Sequence, residues 1–471
     1  MHRWYGGSVP TGMSRHMNIR RTPAPGVPLN RRFTNAVTRY LVLALASVTL
    51  VDGVGIQAQQ TPQPSPLEAL AAERVSSNGS PAERGIASAR KAVATHPTRA
   101  DGWNELALAL ARRARETADH AYYDEAWKAT EQSLQLEPGN LEAIRMQVWI
   151  LLGQHEFARA VAAGEQLNSK MPDDVLVYGF LVDGYVALGR YADAEKAAQW
   201  MLDLRPGNVP GLTRAAHLRE LFGNHEGAVE FMDTAFRRTA TSEVEDRAWI
   251  MTQIAHLSLL TCRTDAAERL LNEALALFPN YHYAVAQLAE VRVQQGRLAD
   301  AVSLRQRHYQ TAPHPENQFE LGVTLHRAGR ADEAKAAWQP FETAARREMD
   351  GSDNANIELI YYYADYANRP AEALAIARKE SARRQDVRTL EALAWALHKN
   401  GQSREALVEI KKALGVGIKQ PITFYHAGAI AAAAGAPTDA RGYLGESLST
   451  CKTSVMAESA RDLLRSVPDK P

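Results

Sequence analysis

The chain has 471 residues, 45% of them hydrophobic but only 7% aromatic, with Ala frequent throughout. That mix gives ample material for burial and favours close-packed helices over sheets. Basic and acidic residues number 54 each, yet seven Arg and a single acid, Asp52, fall within residues 1–58, so the rest carries a net charge of −6; a mildly acidic body excludes the broad basic footprint of a nucleic-acid-binding chain.

Residues 31–58 read as a secretory signal. Arg31, Arg32 and Arg39 form a positive flank, Tyr40 to Val51 is an apolar run, and Ile56-Gln57-Ala58 offers a cleavage site. The run is short for a bilayer, which needs about 20 apolar residues. The alternative is an uncleaved N-terminal membrane anchor. Gly53-Val54-Gly55-Ile56-Gln57-Ala58 mimics a dinucleotide-binding fingerprint, but that motif must open a helix. Gln59-Gln60-Thr61-Pro62-Gln63-Pro64 follows instead. Residues 59–66 are a Pro/Gln linker, and 67–99 read as an irregular N-terminal repeat.

From residue 100 to 448 the sequence repeats. Pro138, Pro172 and Pro206 are 34 residues apart, as are Pro279 and Pro313. Each closes an amphipathic segment, where a helix has to stop. An Ala recurs in register at Ala126, Ala160, Ala194, Ala228, Ala267, Ala301, Ala334, Ala373, Ala406 and Ala440, at intervals of 33, 34 or 39 residues. Such a period means stacked supersecondary units. Three irregularities interrupt it: a lengthening at 112–120, extra residues near Thr239–Asp246, and the Arg346–Asp353 stretch. Residues 449–471 read as a capping helix and tail.

These residues resemble the tetratricopeptide repeat. Tyr178, Leu181, Tyr185, Gly189, Ala194 and Pro206 fill positions 4, 7, 11, 15, 20 and 32 of its 34-residue unit. Gly223, Gly296, Gly329, Gly401 and Gly435 also fall at position 15. The resemblance implies an all-α fold, a right-handed superhelical solenoid of about ten helix–turn–helix units. Small residues at positions 8 and 20 let the two helices approach, and Gly near 15 suits a left-handed turn.

Cys262 and Cys451 are 189 residues apart. In a stacked array that spacing predicts two free, passive thiols, because a disulfide needs Cα atoms within about 7 Å. No catalytic, cofactor or metal motif is present. His155-Glu156 and His225-Glu226 lack the second His of a zincin, and His217 and His256 read as groove histidines.

In the resembled family the first helix of each pair lines the concave face through positions 2, 5, 6, 9, 12 and 13. Those positions hold Trp149, Phe180, His217, Trp249, His256, Tyr283, Phe319, Tyr362, Trp395, Tyr425 and His426. Aromatics along a groove are typical binding anchors. The Lys/Arg/Asn clamp that some members use to grip a carboxylate terminus is missing, with Glu142, Arg145, Met146 and Trp149 standing in one of its places. The expectation is a non-catalytic, exported scaffold of the periplasm or cell envelope, binding a partner peptide or helix in an aromatic-lined groove. It has no cofactor and no nucleic-acid partner, and it meets the membrane only through an uncleaved N-terminus. The alternative, a glycan or cell-wall factor, requires a pair of carboxylates facing that groove.

Overall fold

The computed structural model describes residues 79–468. The signal, the linker, part of the irregular first repeat and the last three residues lie outside them. Within them helices follow one another and no strand forms. Helix α1 (Pro81–Thr95) precedes ten helix pairs. These are α2 and α3 (Ala100–Thr117, Ala121–Leu136), α4 and α5 (Leu141–Gly153, Phe157–Lys170), α6 and α7 (Val175–Ala187, Tyr191–Leu204), α8 and α9 (Val209–Leu221, His225–Arg238), and α10 and α11 (Val244–Leu260, Thr264–Leu277). Then come α12 and α13 (His282–Gln294, Leu298–Thr311), α14 and α15 (Pro315–Arg327, Ala331–Glu348), α16 and α17 (Asn356–Tyr361, Pro370–Arg383), α18 and α19 (Val387–Lys399, Ser403–Gly415), and α20 and α21 (Pro421–Ala433, Pro437–Thr450). Helix α22 (Ala457–Ser466) closes the series.

The repeat places its own boundaries. Two residues after Pro138, Pro172 and Pro206 stands a side-chain cap of the next helix. Asn140 accepts from the Ala143 amide at 2.9 Å, Asp174 from Leu176 at 2.8 Å and Asn208 from Gly211 at 2.7 Å. These side chains satisfy amides that a helix start leaves without partners. Some first helices are apolar nearly all round, as α6 is, which buries Val177, Phe180, Leu181, Val182 and Tyr185. Each is held between its own second helix and the neighbouring pairs, and along much of the array the first helices also touch one another. Second helices keep one polar face towards solvent.

All ten periodic Ala residues are buried at 0–1% exposure. They are the contact that lets the helices of a pair close up. Replacing Ala194 by Leu is expected to overpack the α6–α7 seam and cost about 1–3 kcal/mol, read as a lower denaturant midpoint with unchanged helical content.

The cysteine expectation is corrected. Cys262 and Cys451 form a disulfide, with Cα atoms 5.2 Å apart. The reason is that the superhelix returns on itself. The corner between the helices of one pair sits against the loop that enters the helix six pairs later. The Ala118 carbonyl meets His314, the Glu156 carboxylate accepts from Ser352, and the Tyr191 hydroxyl accepts from the Val387 amide, each across 196 residues. The Gln385 amide also donates to the Ala187 carbonyl at 3.2 Å. Gly223 abuts Gly417, and the disulfide is the fifth rung. An array treated as a straight stack hides this approach.

The three irregularities all lie at contacts between distant units. Arg115, in the lengthened α2, pairs with Glu245 and Asp246 of the second irregularity. His120 pairs with Asp353 of the third, which also lies 3.3 Å from His155.

Candidate functional site

Closing the superhelix turns the expected open groove into a bore. A cavity in it measures about 610 Å³ and is walled chiefly by the first helices α6, α8, α12, α14, α16, α18 and α20. Polar and charged residues outnumber apolar ones along the wall, while the larger part of its exposed surface is apolar. Among the described lining residues eight are carboxylates and four are Arg, so the bore is acid-rich.

Most of these acids are held by neighbours. Asp183 takes an ion pair from Arg214 at 2.6 Å. Glu220 lies 3.0 Å from His256 and 3.7 Å from His217. Burial opposes its ionisation, but the two imidazoles outweigh that and hold its carboxyl well below the usual carboxylate range. Arg305, 7% exposed, reaches Glu290 and Glu320, both at 3.4 Å. Glu358 is 4% exposed and pairs with Arg388; burial pushes its carboxyl up, against the pull of that guanidinium.

On α18 and α20 a second motif forms. Glu391 accepts from the Thr423 hydroxyl at 2.8 Å and lies 2.7 Å from His426 Nδ1. The His426 ring stacks on Trp395 at 4.1 Å, and Trp395 donates its indole N–H to Asp365 at 3.0 Å. The imidazole is thereby fixed in the wall. Among the described residues no group of three His, Cys, Asp or Glu has metal-holding geometry.

Of the residues expected in the groove, His217, Phe319 and His426 line the cavity. The other aromatics pack elsewhere. Trp149 stacks on Phe180 at 6.3 Å, Trp249 joins the core of α10–α12, and Trp395 is 6% exposed. His256 serves Glu220. Tyr283 lies on His282, with ring centres 3.9 Å apart, and Tyr425 packs into the cluster of the last pair. Tyr362 rests against Trp338 and Phe341 of α15, both at 5.6 Å. A π-helical turn over Tyr362–Tyr366 continues α16. Such a turn widens the helix locally and re-aims side chains. Tyr361, Asp365 and Tyr366 face the bore here.

The charged wall escaped a search made for aromatics, although the signal was available. Asp183, Glu220, Glu290, Glu320, Glu358, Asp365 and Glu391 occupy the same inner positions of their units as the aromatics that were singled out.

A second polar cluster lies where the end of α2 crosses to α10 and α12. The Tyr281 hydroxyl donates to Glu245 at 2.6 Å, and the Arg115 carbonyl lies 3.1 Å from His282 Nε2. His282 stacks near His308, with ring centres 6.1 Å apart. Burial lowers His282 to about 4 and His308 to about 3.

No family model matches the chain, and no curated protein matches it. Several solved structures are similar to it. The chain of the Cut9–Hcn1 hetero-tetramer of the APC/C is 14% identical, over 78% of this chain and 56% of that one, with a TM-score of 0.39. Human IFIT1, solved as a dimer with PPP-AAAA, is 14% identical, over 81% and 89%, with a TM-score of 0.45. PilW, a type IV pilus biogenesis factor, is 16% identical, over 43% and 93%, with a TM-score of 0.37. The chain thus spans little more than half of the first of these.

Proposed function

We propose that this chain is a non-catalytic, exported scaffold that takes an extended, basic polypeptide segment into its bore. The observation that carries the reading is the bore itself, a half-open space of about 610 Å³ whose lining carboxylates outnumber its lining guanidinium groups two to one. That volume lies within the ~300–1,000 Å³ of small-ligand sites and has room for a few residues of extended chain. A complete helix, about 10–12 Å across with its side chains, fits poorly. Each of the lining carboxylates has a basic neighbour, and the acidic excess that is left in the wall favours cations.

Two features support export: the basic-flanked apolar segment before residue 59, and a disulfide, which persists in oxidising compartments. Intact mass of the mature protein tests this point, with Gln59 expected as its first residue.

Binding is tested with fluorescent octapeptides rich in Lys and Arg, and with acidic counterparts. The basic set is expected to bind and to weaken as salt rises; the acidic set is expected not to bind. Val323→Trp and Val293→Trp, which fill the bore from α14 and α12, are expected to cut affinity on the order of tenfold or more with helical content unchanged. Equal binding of both peptide sets, or full affinity in the Trp variants, removes the bore from the function.

A further inference from the structure

Cys262 occupies the corner of its pair, where Gly189, Gly223, Gly296, Gly329, Gly401 and Gly435 stand in six other pairs and Ala118, His155 and Asn368 in the remaining three. Its φ is +59°, in the left-handed region that costs any side chain energy. This cysteine faces another cysteine six pairs on and forms the bridge with it. The partner, Cys451, is 1% exposed and opens the short strap that joins α21 to α22. Val455 and Met456 on that strap form part of the bore wall, close to Ile418 and Ile422. The strap's far end is fixed, because Ala460 of α22 and Val467 just after it pack in one cluster with Leu444 and Ala431. The bridge therefore pins one wall of the bore to the opposite turn of the superhelix.

We propose that Cys262–Cys451 is a redox clasp, and that thiol–disulfide exchange at it opens and closes the C-terminal end of the bore. This rests on the reading of the bore as the binding site. The chemistry balances with a dithiol reductant. One thiolate of the reductant attacks Cys262 Sγ, the half-buried and reachable sulfur. The Cys262–Cys451 bond breaks, and Cys451 leaves as a thiolate and takes up a proton. The reductant's second thiol then attacks the mixed disulfide, freeing the Cys262 thiol and leaving the reductant as its own disulfide. The Thr453 hydroxyl is 3.1 Å from Cys262 Sγ and 3.8 Å from Cys451 Sγ, within reach of either sulfur as it gains negative charge. The other four rungs are non-covalent and remain, so the opening is confined to the last one.

The test compares the oxidised protein, the dithiothreitol-reduced protein and the Cys262→Ser/Cys451→Ser variant by hydrogen exchange and by association with a Lys/Arg-rich octapeptide. Exchange at 451–456 and 260–264 is expected to rise at least tenfold in both bridge-free forms, to stay unchanged in α6–α9, and to return to its starting value on reoxidation. Peptide association is expected to quicken in parallel. Unchanged exchange at the strap overturns the clasp. So does a uniform rise through α6–α9, which would make the bridge a general staple of the fold. Local opening with no peptide binding in any form supports the clasp and removes the peptide-binding reading instead.

Discussion

Acidification from pH 6.5 to 5 is expected to cost this protein on the order of 2–4 kcal/mol of stability. The source is His282 and His308, which are 3% and 5% exposed. Burial holds both neutral in the folded chain, at about 4 and about 3, against ~6.5 when unfolded. Between those values the unfolded chain binds protons that the folded chain refuses. Stability therefore falls with pH, by up to about 1.4 kcal/mol per unit for each imidazole. His308 Nδ1 lacks a partner, and Arg305 adds to the repulsion a proton would meet.

The opposite sign applies to His120. Burial disfavours its charge, but Asp353 outweighs that and raises it. Its contribution is complete below about 6.5 and fades as pH rises through the raised value. Since both partners are about a third exposed, this effect stays under ~1 kcal/mol. The stability profile thus falls steeply on the acid side of about pH 6.5 and changes only shallowly on the alkaline side. Denaturant titrations between pH 4.5 and 8.5 measure it. His282→Gln and His308→Gln are each expected to remove about half of the acid-side slope. A double variant that keeps the full slope would place the acid sensitivity elsewhere.

Two glycines at the same place in the repeat are expected to tolerate a methyl group very differently. Gly296 has φ +73° and open space around it. Ala there meets only the left-handed penalty, about 1–2 kcal/mol. Gly223 has φ +72° and the same turn, but a Cβ would lie 2.5 Å from the carbonyl oxygen of Gly417 in the next superhelical turn. Backbone cannot swing aside as a side chain can. Gly223→Ala must also push the two turns apart, adding about 1–3 kcal/mol. Gly189, whose Cβ would be 2.8 Å from the Gln385 carbonyl, is expected to behave alike. Denaturant midpoints of the three variants give the comparison. Equal losses at Gly296 and Gly223 would mean that the turns do not touch in solution.

Much of the site was legible, and its character was not. The rule that positions 2, 5, 6, 9, 12 and 13 face inwards names Asp183, Glu220, Phe319 and Glu391 as readily as Trp149 or Trp395. Hydrophobicity decides between them. A large ring gains by burial between helices, which is where Trp395 goes. A carboxylate resists burial and stays at the wall with a counter-charge, as Glu391 does beside His426. Tyr362 was lost for a different reason: no local pattern announced the π turn that displaces it.

Apart from the π turn, what is set within one unit was largely present in the sequence. The periodic Ala, the corner Gly of six pairs and the Pro ahead of several caps act over a few residues, so the succession of helix pairs and their stacking follow from spacing. Tertiary structure alone decided that the stack closes into a bore, that the irregular stretches meet partners in distant units, and that Cys262 finds Cys451. Each pair adds a small rotation set by side-chain volumes at its interface, and only the sum over six pairs brings distant residues together. A sum of small terms leaves no mark at any single position.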